Sequence, residues 1–242
     1  MGGAAGLGIV FELVRQSGGT WIEKIVHTFR HNGTDGNYPN GISHDFSGNL
    51  YGTTSAGGAY NWGTVFEISP QAGGGWSEKI LYSFNSNGSD GNLPAAGVTV
   101  GADGSLYGTS SLGGPNNSGT VFQLTPSASG GWSESVLHSF GASNTDGVNP
   151  WGTVTLDRAG NVYGETNYGG MLAEGTVFEL TGSGGTWTEN VLHNFGSGTD
   201  GMFPQGSLIF DHAGNLYGTA ILGGAYFGNR DNGGTVFQIK IK

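Results

Sequence analysis

Three acidic residues are the sharpest chemical candidates in this chain. Glu165 stands where the other repeats carry Thr53, Thr109 and Thr219, and Glu174 and Asp231 fall on connections leading to the same end of the strands. Two carboxylates at a suitable separation are the minimum for glycoside hydrolysis. The chain would then be a glycoside hydrolase or polysaccharide lyase, with Glu165 as acid or base and Glu174 or Asp231 as partner. The residues leave that separation open, and a solvated acidic rim has the same composition. No G-x-S-x-G elbow, zinc-spaced His or Cys set or phosphate loop accompanies them.

A second set is Asp35, Asp90, Asp146 and Asp200, each heading an Asp-Gly-x-x-Pro segment. Gathered near an axis, these carboxylates would ring a hard cation such as Ca²⁺ or Mg²⁺. One carboxylate per segment, without a D-x-D-x-D run, is more simply an Asx-type turn; beyond Ca²⁺ no cofactor is expected. The third set is aromatic: Tyr38, Tyr60, Trp62, Trp151, Tyr168, Phe203, Tyr226 and Phe227. None sits in a column filled by an aromatic in every repeat, unlike Tyr51, Tyr107, Tyr163 and Tyr217. Unrepeated loop aromatics suit ligand contact, because a ring stacked on a sugar covers apolar C–H surface; equally, they can cap the ends of a core. His27, His138 and His193 share a column with Tyr82, which reads as a packing and hydrogen-bonding position. His44 beside Asp45 reads as structural rather than as a general base.

The elements that must position these residues are repeats. The phenylalanine of a Val-Phe pair falls at 11, 66, 122, 178 and 237, a period of 55 to 59 residues. Such a period, with several short apolar runs per unit, predicts a propeller or another β-array. Each unit holds four strand-like runs, A to D, separated by Gly, Pro, Asn and Asp. In the first these are 41–45, 49–54, 64–69 and 76–84; later units run over 97–140, 152–195 and 206–239. Abundant glycine and the absence of a 3.6-residue period exclude helices. The expected fold is a single all-β domain over 1–242, a propeller of four blades with four antiparallel strands each. Its repeats are 7–62, 63–118, 119–174 and 175–233, with a closing strand at 234–242. The last blade lacks a D strand, and the N-terminus offers a C-type run at 8–14 and a D-type run at 20–29. Pairing 20–29 with 235–239 would close the ring and leave one surplus C-type strand, which adds outermost, or displaces the C-terminal strand and frees it to pair with a neighbour. In such a blade the D-to-A and B-to-C connections share one face, which collects the aromatics and the odd acids. The A-to-B and C-to-D turns form the other.

The chain carries a net charge of −10, from 18 acidic against 8 basic residues, so nucleic acid is an improbable partner. Cysteine is absent, which excludes a disulfide framework. No apolar run reaches membrane-spanning length, and the first residues show no signal-peptide pattern.

The units Gly-Asn-Leu-Tyr-Gly-Thr-Thr (48–54), Gly-Gly (57–58), Gly-Thr-Val-Phe-Glu-Ile (63–68), Trp-Ser-Glu (76–78) and Asp-Gly-x-x-Pro resemble the GloVer-type tandem repeat of bacterial choice-of-anchor proteins. The resemblance spans Leu7 to Ile239. It implies an exported or surface-anchored protein of propeller-like repeats and carries over no catalytic residue set. The third unit departs from it at Glu165, and the fourth has an expanded connection at 225–233. The leading expectation is an extracellular, non-catalytic protein binding polysaccharide or another neutral polymer through the aromatic face. The alternatives are the hydrolase or lyase above and a subunit that self-associates by strand exchange.

Overall fold

In the computed structural model, residues 2–225 and 233–241 are described, and among them there is no helix. The chain starts with a hairpin of β1 (Ile9–Arg15) and β2 (Trp21–Thr28). Blade 1 follows in the order β3 (Gly36–His44), β4 (Leu50–Gly57), β5 (Thr64–Pro70) and β6 (Trp76–Ser83). Blade 2 comprises β7 (Gly91–Asn92), β8 (Thr99–Val100), β9 (Leu106–Ser110), β10 (Leu112–Gly113), β11 (Thr120–Pro126) and β12 (Trp132–Ser139). Blade 3 holds β13 (Gly147–Pro150), β14 (Thr155–Leu156), β15 (Val162–Gly169), β16 (Thr176–Ser183) and β17 (Thr186–Asn194). Blade 4 holds β18 (Gly201–Pro204), β19 (Ile209–Phe210), β20 (Leu216–Gly223) and β21 (Thr235–Ile239). These are four small antiparallel sheets arranged as a four-bladed β-propeller.

The repeat motifs are halves of physical contacts. Gly52, Gly108 and Gly164 lie across the ladder from Phe66, Phe122 and Phe178. A β-carbon on these glycines would stand 2.6, 2.5 and 2.5 Å from the phenylalanine Cζ, so the Tyr-Gly pair on strand B makes the space that Thr-Val-Phe on strand C fills. The next contact crosses blades. Phe29, Phe84, Phe140 and Phe195 meet Phe66, Phe122, Phe178 and Phe237 of the following blade at centroid separations of 5.3, 5.1, 5.2 and 4.9 Å. Tilted and edge-on pairs of this kind contribute about 0.5–1.5 kcal/mol each beyond their buried area. A second cross-blade pair joins two motifs: β-carbons on Gly63, Gly119 and Gly175 would fall 2.5–2.7 Å from Cδ of Pro94, Pro150 and Pro204.

The A-to-B turns behave as turn chemistry predicts. Asp45 Oδ1 accepts from the Ser47 and Asn49 amides while Oδ2 accepts from Asn49 Nδ2 and the Tyr51 hydroxyl. Asp157 and Asp211 repeat the pattern. His44 is exposed, and its Nδ1 lies 3.2 Å from the Asp45 carbonyl oxygen.

Two expectations need correction. The Asp-Gly-x-x-Pro segments are not loops: they form the first half of strand A and pair with the end of strand B, as Gly36 does with Gly57 and Gly147 with Gly169. A register shift after the proline then bends or splits strand A, as at Pro39/Ile42. The expected pair between 20–29 and 235–239 is also not formed among the described residues. β2 bonds to β1 over its whole length, and β21 bonds to β20. The β1–β2 ladder carries the same register shift between Val and Phe as β5–β6, β11–β12 and β16–β17. It is a native C–D hairpin closed by a short turn, and a local pair of low closure entropy takes the edge that ring closure needed. Consequently β1 is not a fifth strand of the last blade. Its Phe11 is 52% exposed, whereas Phe66, Phe122 and Phe178 in the same column are fully buried. Among the described residues no helix is long and apolar enough to cross a membrane.

Candidate functional site

Six of the eight candidate aromatics lie among the described residues; Tyr226, Phe227 and Asp231 fall outside them. Tyr38, Tyr60, Trp62 and Tyr168 sit where strand A begins or where strands B and C connect, and Trp151 follows Pro150 at the break in strand A. These five are 42–59% exposed. The repeated Tyr51, Tyr107 and Tyr163 are buried instead. Phe203 is half-buried and meets Tyr168 edge-on at 5.3 Å, an aromatic pair formed across two blades.

The backbone beneath this face is held from blade to blade. Tyr38, Leu93, Asn149 and Phe203 occupy one column and all adopt left-handed φ of 52–63°. Each donates its amide to a carbonyl of the preceding unit, at Leu7, Trp62, Ser118 and Glu174 respectively. A left-handed L-residue costs about 1–2 kcal/mol, so the fold imposes this conformation at every junction and these bonds offset it. Tyr38, Trp62 and Phe203 are therefore presented from rigid positions.

Glu165 lies elsewhere in character. It is 2% exposed on β15, against Gly206 and Gly218 of the next blade. Its counterparts Thr53 and Thr109 donate to the Ala96 and Gly152 carbonyls of the following blade, at 2.6 and 3.0 Å. Glu165 occupies the same blade-to-blade position with both carboxylate oxygens unpartnered among the described residues. Burial pushes its carboxyl up to about 8, with the Gly206 backbone opposing. A solvated rim does not describe it. Glu174 is partly buried beside Gly196, and its Oε2 has no described partner.

The four aspartates do not converge on one ion; each closes a separate junction between blades. Asp35 accepts from the Arg30 and Gly36 amides, and Asp90 from the Asn85 amide and the Tyr82 hydroxyl. Asp146 accepts from the Ala142 amide, and Asp200 Oδ2 lies 2.8 Å from His193 Nε2. Three of these carboxylates bind backbone amides four or five residues upstream (Arg30, Asn85 and Ala142) rather than two downstream as in the expected Asx-type turn. The repeated strand-D column His27, Tyr82, His138 and His193 faces them, with Tyr82 bonded to Asp90 and His193 to Asp200. Each member also stands edge-on to the phenylalanine two residues on, at 4.6–5.2 Å. A third column completes three junctions from the next blade: Glu78, Glu134 and Glu189, the glutamates of Trp-Ser-Glu and Trp-Thr-Glu. Burial, helped by the adjoining aspartate, raises Glu78 to about 8 and Glu134 to about 7; Glu189 rises to about 7 by burial although His138 opposes it. Sequence reasoning missed these triads because His27 and Glu78 belong to different repeats. The available signal was three ionisable columns recurring in register in a chain only 11% charged.

Two clefts lie on the opposite face. One of about 610 Å³ between blades 2 and 3 is lined by Tyr107, Leu156, Asp157 and Trp187. Another of about 750 Å³ between blades 3 and 4 is lined by Tyr163, Phe210, His212 and Ile241. Both are open, shallow seams beside the A-to-B turns.

Fold and motif together define a propeller-type repeat protein. The chain belongs to the Gloeobacter/Verrucomicrobia repeat family, whose model matches residues 1–132 and again 129–242. No curated protein matches the sequence. Among solved structures, a luciferin-regenerating enzyme is similar at 15% identity and a TM-score of 0.51, over 84% of this chain and 61% of that one. A protein of unknown function from Dyadobacter fermentans is similar at 15% identity and a TM-score of 0.53, over 100% of this chain and 75% of that one. These likenesses concern the fold. The chain spans about 61% of the length of the first of them.

Proposed function

We propose that this protein is a non-catalytic, exported or cell-surface binding module that engages polysaccharide, or another neutral polymer, through the aromatic face. The observation carrying this reading is a contrast among aromatics of the inner blades: Tyr51, Tyr107 and Tyr163 with Phe66, Phe122 and Phe178, all in repeated columns, are buried, whereas five unrepeated ones are 42–59% exposed at or near one end of the strands. Exposed Tyr and Trp on rigid backbone provide stacking platforms with little conformational entropy to lose. Net charge of −10 favours neutral over anionic polymers. A hydrolase or lyase using Glu165 with Glu174 or Asp231 is a poorer fit, since a group 2% exposed does not meet a polymer without rearrangement. The test is affinity electrophoresis against a neutral polysaccharide panel. Trp62→Ala and Trp151→Ala should each weaken retention while Tm stays within a few degrees of the parent. Loss of Tm in both variants would make these residues core caps and move the site elsewhere.

Self-association is a second reading, favoured by apolar exposure at the two ends of the array. Phe11 and Leu13 on β1 are 52% and 55% exposed, and Val236 on β21 is 74% exposed, where the equivalent residues of inner blades are buried. A second copy mating end to end would cover both surfaces. Sedimentation velocity over a wide concentration range, repeated with Val236→Lys, examines this; a monomer throughout removes it.

A further inference from the structure

Two of the blade junctions bring together one imidazole and two carboxylates from three separate segments. At the first, His27 of β2 faces Asp35 at the head of β3 and Glu78 of β6; at the other, His138 of β12 faces Asp146 at the head of β13 and Glu189 of β17. His27 Nε2 stands 3.6 Å from Asp35 Oδ2 and 3.7 Å from Glu78 Oε2. His138 Nε2 stands 3.5 Å from Asp146 Oδ1 and 3.7 Å from Glu189 Oε2. These separations are too long for hydrogen bonds. They match the edge of a tetrahedron with ligand bonds of about 2.1 Å, which is roughly 3.4 Å long.

Several polar atoms at these junctions have no described hydrogen-bond partner, although Asp35 Oδ2 accepts from the Arg30 amide. His27 Nε2 and Glu78 Oε1 are buried and unpaired at the first junction, as are His138 Nε2, Asp146 Oδ1 and Glu189 Oε1 at the second. The Asp146 side chain is 6% exposed, and its unpaired Oδ1 is the oxygen aimed at His138. Meanwhile backbone amides hold the aspartates in place: Arg30 and Gly36 on Asp35, and Ala142 on Asp146. Ligating carboxylates are oriented by such outer hydrogen bonds.

The other two junctions serve as internal comparisons. Where Tyr82 replaces histidine, its hydroxyl donates to Asp90 Oδ2 at 2.9 Å and the group closes on itself. His193, at the junction without a described glutamate, closes to 2.8 Å from Asp200. Only where all three ligand types meet does the imidazole stand apart from both carboxylates.

We propose that the His27–Asp35–Glu78 and His138–Asp146–Glu189 junctions are structural sites for a divalent transition metal of the zinc class, each fastening the outer strand of one blade to that of the next. One nitrogen and two oxygens, with water as a fourth ligand, suit Zn²⁺, whereas Ca²⁺ takes six to eight oxygens at longer range. The proposal concerns the blade junctions and does not rest on polymer binding.

The experiment is calorimetric titration of metal-stripped full-length protein with Zn²⁺, alongside thermal unfolding. Two ions should bind per chain and raise Tm, and Ca²⁺ should do neither at these sites. His138→Gln should reduce the stoichiometry to one, and His27→Gln with His138→Gln should abolish it while circular dichroism remains β-type. Tyr82→His restores the missing ligand beside Asp90 and Glu134 and should raise the stoichiometry to three. This gain keeps the idea testable even where a histidine variant fails to fold. Absence of stoichiometric Zn²⁺ binding by the folded parent, or binding indifferent to all three substitutions, overturns the proposal.

Discussion

Glu165→Gln should make this protein more stable, and increasingly so as pH rises. The folded chain keeps the Glu165 proton to about pH 8, whereas an exposed glutamate loses it near 4.5. Between those values the folded state binds more protons than the unfolded state, so the contribution of this group to stability falls as pH increases. The loss is about 1.4 kcal/mol per pH unit, roughly 3 kcal/mol by neutral pH, and it levels off at about 5 kcal/mol once both states are ionised. Glutamine has nearly the same shape and no charge to bury, so its variant escapes the slope. The other raised carboxyls, Glu78, Glu134 and Glu189, are present in both proteins and cancel in the difference. Urea unfolding of both proteins at about pH 5, 6, 7 and 8 gives the difference directly. Curves that coincide near pH 5 and diverge by roughly 1 kcal/mol per unit support the reasoning. A constant offset across the range would refute it, because the carboxyl would then not be held protonated between the blades.

Three further outcomes follow from the packing. Gly108→Ala places a methyl group in the ring of Phe122 and should cost about 1–3 kcal/mol in urea unfolding. Phe122→Ala empties the centre of a blade junction and should cost about 3–5 kcal/mol in the same measurement. Asp157→Ala releases the Ala159 and Asn161 amides of an exposed turn and should lower stability by only about 1 kcal/mol, read as a small shift in Tm.

The sequence alone determined the architecture because its information is periodic and local. The 55- to 59-residue spacing of Val-Phe pairs set the number of blades, and the Asp-x-x-Gly-Asn turns were written in residues that bond their own backbone. The division between buried repeated tyrosines and exposed unrepeated aromatics was legible for the same reason. What tertiary structure decided lies wherever one repeat meets another. Glu165 resembled a rim acid until the next blade's Gly206 and Gly218 enclosed it, and that enclosure is what raises its carboxyl. Asp35 read as a turn-former until His27 and Glu78 arrived from two other strands. The pairing of β2 with β1 rather than β21 was equally invisible, since both candidates are C-type strands of nearly the same sequence. A repeat pattern specifies which strand type a partner must be; only the shorter connection and the folded chain's geometry choose which copy takes the place.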